Sequence, residues 1–196
     1  MGEATARHFA THGARAVVIA DVQDEKGRNV AASIGPNICT YVHCDVSDEE
    51  QVKTLVDTTV NTYGRLDIMF SNAGMARATH ACDQSVLDME LSAYDKLMAV
   101  NARGMVACVK HAAKAMVEGR VRGSIVCTAS LAASIGHPKY VDYVMLEHAV
   151  LGLDVGTCGV GIGEVRELAA GSLWDTSELC FTRGCWDGTA QRHVWG

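Results

Sequence analysis

Gly123-Ser124-Ile125-Val126-Cys127-Thr128-Ala129-Ser130, with Tyr143 a further 13 residues on, is the stretch on which the reading of this chain turns. Gly123 to Thr128 is a short, largely apolar run, which suits a strand buried on both faces of a parallel sheet. Ser130 to Pro138 reads as a loop, and Tyr140 to Leu153 as a helix. A tyrosine hydroxyl can donate or accept the proton that accompanies hydride transfer at a carbinol carbon. A serine at the strand end can hold the substrate oxygen. A lone Ser and Tyr carry little information, and Tyr140 in the same segment competes with Tyr143 for the role.

Working outward, the chain alternates strand and helix. Glu3 to His12 reads as a helix closed by Gly13, glycine being the usual residue just past a helix. Ala16 to Ala20 is an apolar strand ending at Asp21, and Asp24 to Ile34 a helix closed by Gly35-Pro36. Cys39 to Cys44 is a strand ending at Asp45. Ser47 with Glu50 three residues later resembles a capping box ahead of a helix that Gly64 stops. Leu66 to Phe70 is a third strand, running into Ser71-Asn72-Ala73-Gly74. Thr79 to Ser92 is polar and irregular, and two helices follow, Tyr94 to Val100 and Gly104 to Val117. This order predicts right-handed crossovers and a parallel α/β sheet. Ligands then bind beyond the carboxyl ends of the strands. From Asp154 the character changes: a glycine-rich run to Gly163, then Trp174, Trp186 and Trp195 among polar residues, with no buried-type strand. The expected division is residues 1–153 as one α/β domain and 154–196 as a divergent tail.

The bulk composition narrows the function classes. With 196 residues the chain can bury a sizeable core, and 48% hydrophobic with 20% charged residues is ordinary for a globular domain. The net charge of −6 argues against nucleic acid or an anionic membrane surface as partner. No apolar stretch reaches the roughly 20 residues of a membrane span. The start, Met1 to Thr5, has neither a basic opening nor an apolar signal core, so a cytoplasmic location is expected. Eight cysteines occur without a C-x-x-C pair, which points to reduced, buried thiols and to no metal site.

Candidate binding residues lie at the strand ends. Asp21 can accept hydrogen bonds from the adenosine ribose and repel a 2′-phosphate, favouring NAD over NADP; equally, it can be a solvated acid or a helix cap. Asp45 can meet the adenine or merely cap the next helix. Asn72-Ala73-Gly74 offers small residues where backbone passes a cofactor, or an ordinary turn.

Several blocks in order carry a resemblance. They are Gly2-Glu3-Ala4, Cys44-Asp45-Val46, Ser71 to Gly74, Val100-Asn101-Ala102-Arg103-Gly104, Ser124 to Ser130 and His148 to Leu153. Together they resemble the short-chain dehydrogenase/reductase family, and within it the plant group that includes secoisolariciresinol and xanthoxin dehydrogenases. The resemblance implies a Rossmann-type doubly wound parallel sheet. It also implies NAD, with NADP disfavoured, and interconversion of a secondary alcohol and a ketone on a small secondary metabolite. Asn101, Ser130 and Tyr143 match the family's catalytic Asn, Ser and Tyr. Gly2, Asp21, Asp45, Val46, Asn72, Ala73 and Gly74 match its cofactor-binding positions. Homo-oligomer formation is left open.

The chain departs from the family in three places. Glu147 stands where the catalytic lysine is expected, four residues after Tyr143 and so on the same helix face. A carboxylate there disfavours tyrosinate, and Lys139, at or before the helix start, is poorly placed to substitute. The opening strand and glycine-rich loop have only Gly2 to represent them, so the sheet is expected to be incomplete, with unpaired backbone beside the gap. The tail lacks the family's closing strands and Pro-Gly loop. These departures define the alternative: an inactive, truncated family member that at most binds partners.

Overall fold

The structure, a computed structural model, describes residues 1–75, 85–157, 164–170 and 180–181. In chain order it contains α1 (Gly2–Thr11), β1 (Val17–Asp21), α2 (Asp24–Ile34), β2 (Cys39–His43), α3 (Glu49–Tyr63) and β3 (Ile68–Ser71). α4 (Leu91–Met98), α5 (Gly104–Glu118), β4 (Ser124–Ser130), α6 (Val141–Thr157), β5 (Glu164–Ala170) and β6 (Cys180–Phe181) follow. The expected α/β alternation is present. β1 pairs β2 in parallel, β3 pairs β4 in parallel and β4 pairs β5 in parallel; β6 runs antiparallel to β5.

The sheet is in two parts, β1-β2 and β3-β4-β5-β6. Among the described residues β1 and β3 each hydrogen-bond along one edge alone. The expected incomplete sheet is therefore observed, and Ile68 on β3 is 46% exposed although its type suits a buried strand. What joins the parts is a helical layer. Cys44, Val52 and Leu55 pack with Ala107 and Cys108 of α5, and Val18, Ala20 and Val42 of one sheet meet Met69 of the other around them. The opposite side of α5 (Met105, Val109, Ala112, Met116) packs on Ile125, Cys127 and Ala129 of β4 and on Leu146 and Val150 of α6. Small residues let α5 come this close: a Cβ on Gly104 would stand 2.8 Å from Val46 Cγ2 and 3.0 Å from its carbonyl.

Several local expectations change. α3 is capped by Asp48, whose carboxylate accepts from the Glu50 N–H, and not by Ser47. Ser47 is instead held by Asp45, which accepts from both its N–H and its hydroxyl. Gly64 does stop α3, at φ +86° in the left-handed region that suits glycine. The break expected between Val100 and Gly104 is a π turn, Ala99–Arg103, so α4 and α5 run on as one bulged rod. The tail, read as holding no buried-type strand, does contain a strand. α6 continues to Thr157 and Glu164–Ala170 forms β5. Glu-Val-Arg-Glu-Leu-Ala-Ala has no continuous apolar run, so its strand comes from backbone pairing with β4 and not from a hydrophobic signature.

Cys39, Cys44, Cys108 and Cys127 are buried. Cys82, Cys158, Cys185, the three tryptophans and the 159–163 glycine run lie outside the described residues. Among the described residues no helix is long and apolar enough to cross a membrane.

Met116, fully buried where α5 meets β4, tests the packing. Met116→Ala should cost about 2–5 kcal/mol of stability in urea denaturation; a loss under about 1 kcal/mol would show a core that collapses around the gap.

Candidate active site

Ser130 is the last residue of β4 and opens a 3-10 turn, Leu131–Ala133, by accepting from the Ala132 N–H at 3.3 Å. Tyr143 sits in the first turn of α6, its N–H donating to Asp142 Oδ1 at 2.8 Å. Tyr140 precedes the helix and its ring lies 4.4 Å from the His137 ring, centroid to centroid. Ser130 acts on the Tyr143 hydroxyl and favours its ionised form.

Glu147 lies one turn further along α6. It is 5% exposed, and its Oε2 is buried without a hydrogen-bond partner. Burial pushes its carboxyl above the ordinary range, against the opposing pull of the Tyr143 hydroxyl and the Ser130 backbone. The Tyr143 hydroxyl is pushed up too, first by burial and next by the Glu147 charge, with Ser130 pulling the other way. The disfavoured tyrosinate expected from Glu147 is therefore present, with burial as the larger cause.

Asn101 lies in the π turn, a distortion that frequently marks functional sites. Its Oδ1 accepts from the Met75 N–H at 2.9 Å and its Nδ2 donates to the Met75 carbonyl at 3.0 Å. One amide thus pins the loop that carries Asn72, Ala73 and Gly74. A Cβ on Gly74 would stand 3.4 Å from the Asn101 amide nitrogen. On the other side of that loop the Thr128 hydroxyl donates to Asn72 Oδ1 at 3.1 Å, and a Cβ on Gly2 would stand 3.2 Å from Asn72 Nδ2. The amino end of α1 therefore abuts the carboxyl ends of β3 and β4, and the π turn packs against α6. Ala73 and Gly74 are exposed and present backbone with almost no side chain.

Asp21 and Asp45 lie at the ends of the β1–β2 pair. Asp21 Oδ1 accepts from the Gln23 N–H at 2.9 Å, so the acid also serves the turn into α2. Asp45 is committed to Ser47, and its N–H donates to Gln51 Oε1. Val46 presses on Gly104 and lines a cavity of about 160 Å³ with Glu49, Arg103 and Lys110, between α3 and α5 and apart from Ser130 and Tyr143. Reading the sequence missed Thr128 and the Met75 backbone as supports of the loop. Thr128 could have been found as the polar residue inside an otherwise apolar strand; the Met75 contacts have no sequence signal.

Residues 1–154 match a family model described as enoyl-(acyl carrier protein) reductase. The chain is 51% identical over 175 residues to (-)-isopiperitenol/(-)-carveol dehydrogenase, mitochondrial, of Mentha piperita, covering 86% of this chain and 65% of that protein. It is 52% identical over 177 residues to a (+)-cis,trans-nepetalactol synthase of Nepeta racemosa, covering 86% and 65%. Short-chain dehydrogenase reductase 5 of Arabidopsis thaliana is 48% identical over 164 residues, covering 84% and 61%. The chain therefore spans less than two thirds of the length of these relatives. Among solved structures an NAD+-bound xylitol dehydrogenase superposes with TM-score 0.78 at 27% identity, covering 87% of this chain and 65% of that one.

Asn101→Ala removes both bonds to Met75, each worth roughly 1 kcal/mol. Amide hydrogen exchange at Met75 should accelerate by about tenfold or more while the β4 amides keep their protection. Unchanged exchange at Met75 would show the loop to be held by other contacts.

Proposed function

Because the chain belongs to the short-chain dehydrogenase/reductase family, we propose that it serves a nicotinamide-dependent interconversion of a secondary alcohol and a ketone on a small secondary metabolite, of the class its mint relative is named for. The observation that carries this is the convergence of Ser130, Tyr143 and the Asn101-pinned loop at the carboxyl ends of β3 and β4, where open α/β sheets bind ligands. Tyr143 is the proton donor and acceptor, Ser130 holds the substrate oxygen, and Asn101 orders the loop beside them.

The residues fit a dinucleotide. The first turn of α1 leaves N–H groups without helical partners, a natural seat for phosphate, and Gly2 sets that turn against Asn72. Ala73 and Gly74 offer bare backbone beside it. Asp45 and Val46 end the neighbouring strand pair and are assigned to the adenine. When bound, the nicotinamide supplies or takes the hydride. Asp21 is assigned to the ribose hydroxyls, and its charge makes NAD the preferred form over NADP. The negative net charge speaks against nucleic acid as partner. We place the protein in the cytoplasm, with mitochondrial import the alternative that the mint relative's name raises.

A second reading, a catalytically silent family member, is favoured by one observation: burial and the Glu147 charge both push the Tyr143 hydroxyl up, away from the tyrosinate that would take an alcohol's proton. Appreciable turnover appearing only in Glu147→Lys would support it.

Fluorescence titration should give saturable NADH binding, weaker NADPH binding, and a narrower gap between the two in Asp21→Asn. No binding at millimolar NADH would overturn the cofactor assignment. With a ketone that the protein turns over, Tyr143→Phe should cost about 100- to 10,000-fold in rate.

A further inference from the structure

Glu147 is the buried group that this mechanism leaves unused. It is the one glutamate among the buried described residues, and no Lys, Arg or His is paired with it there. Among the described residues, Tyr143 and the Ser130 backbone act on it besides burial itself. A carboxylate in that place would hold a full charge out of water with Oε2 unsatisfied, a costly arrangement that carboxyl groups relieve by taking up a proton. A carboxylic acid, by contrast, carries an O–H to donate. Among the described residues, the hydroxyl that acts on it is that of Tyr143, one helical turn back on the same face.

We infer that Glu147 stands in the folded protein as a protonated carboxylic acid whose O–H feeds the Tyr143 hydroxyl, so that the site is a two-group proton donor built for the ketone-to-alcohol direction. This rests on the assignment of Tyr143 as the proton donor. In the reductive direction a bound reduced nicotinamide would supply the hydride to the carbonyl carbon, and the C=O π pair would go to oxygen. That oxygen takes the Tyr143 proton, the phenolate oxygen takes the Glu147 proton, and the carboxylate remains. The ketone would thereby be reduced and the nicotinamide oxidised, with one solvent proton restoring Glu147. The reverse direction starts from the Tyr143 hydroxyl beside an ionised Glu147, the state that burial opposes. Glu147 acts through Tyr143 and is a positioning residue in this scheme.

Infrared spectroscopy of the whole chain at neutral pH, without cofactor, tests the protonation directly. The expected result is a protonated-carboxyl stretch that disappears in Glu147→Gln and shifts in wild-type protein grown with carbon-isotope-labelled glutamate. The labelled wild type keeps the test open should Glu147→Gln not fold. Absence of a glutamate-derived protonated band overturns the proposal. The link to Tyr143 is read by alkaline ultraviolet titration, with Tyr143→Phe assigning the transition: in Glu147→Gln the Tyr143 ionisation should move to lower pH. An unmoved transition overturns the coupling. Neither readout uses cofactor or substrate, so failure here and failure of NADH binding are separate results.

Discussion

α5 is the element through which the two halves of this molecule become one body. Among the described residues the strands divide into two groups that share no hydrogen bond, so backbone pairing does not join them there. α5 lies across both, with Ala107 and Cys108 in the core over β1 and β2, and Met105, Ala112 and Met116 in the core over β3, β4 and α6. Apolar burial is non-directional and scales with area, so a helix can join sheets that lack ladder continuity. Close contact is required, and it is met by small residues: Gly104 against Val46, Ala107 in one core and Ala112 in the other.

That placement sets the site. The π turn before α5 widens the helix by one residue and brings the Asn101 amide onto Met75, where one side chain satisfies both backbone groups of the loop. Thr128 secures the same loop from β4 through Asn72. The loop is thus tied to α5 and β4, the two elements that are themselves packed together in the larger core. α6 joins that core through Leu146 and Val150, and this fixes which of its side chains turn toward Ser130. Glu147, next to Leu146, is drawn into the interior by the same packing that positions Tyr143 one turn earlier. Its burial is a consequence of helix geometry, and its protonation a consequence of burial.

Much of this was legible in the chain itself. The β–α alternation, the glycine that stops α3, and the candidate residues at strand ends follow from short-range rules. Apolar runs of strand length, acids just after them and glycine at helix ends are local signatures. The pairing of Tyr143 with Glu147 also follows from the sequence, because an i, i+4 spacing holds on any helix. The identity of the α3 cap was misread because Ser47 and Asp48 are both good caps, and the choice turned on Asp45 engaging Ser47 first.

Tertiary structure alone decided the rest. β5 exists because β4 offers it a backbone edge; its own residues carry no buried-strand pattern. The π turn at Asn101, the meeting of Tyr143 with Ser130 and the burial of Glu147 are each set by partners 13 or more residues away in sequence or by the packing of α5 and α6. Sequence periodicity determines which face of an element is apolar. It does not determine which neighbour that face meets, and the charge state of a carboxyl depends on the neighbour.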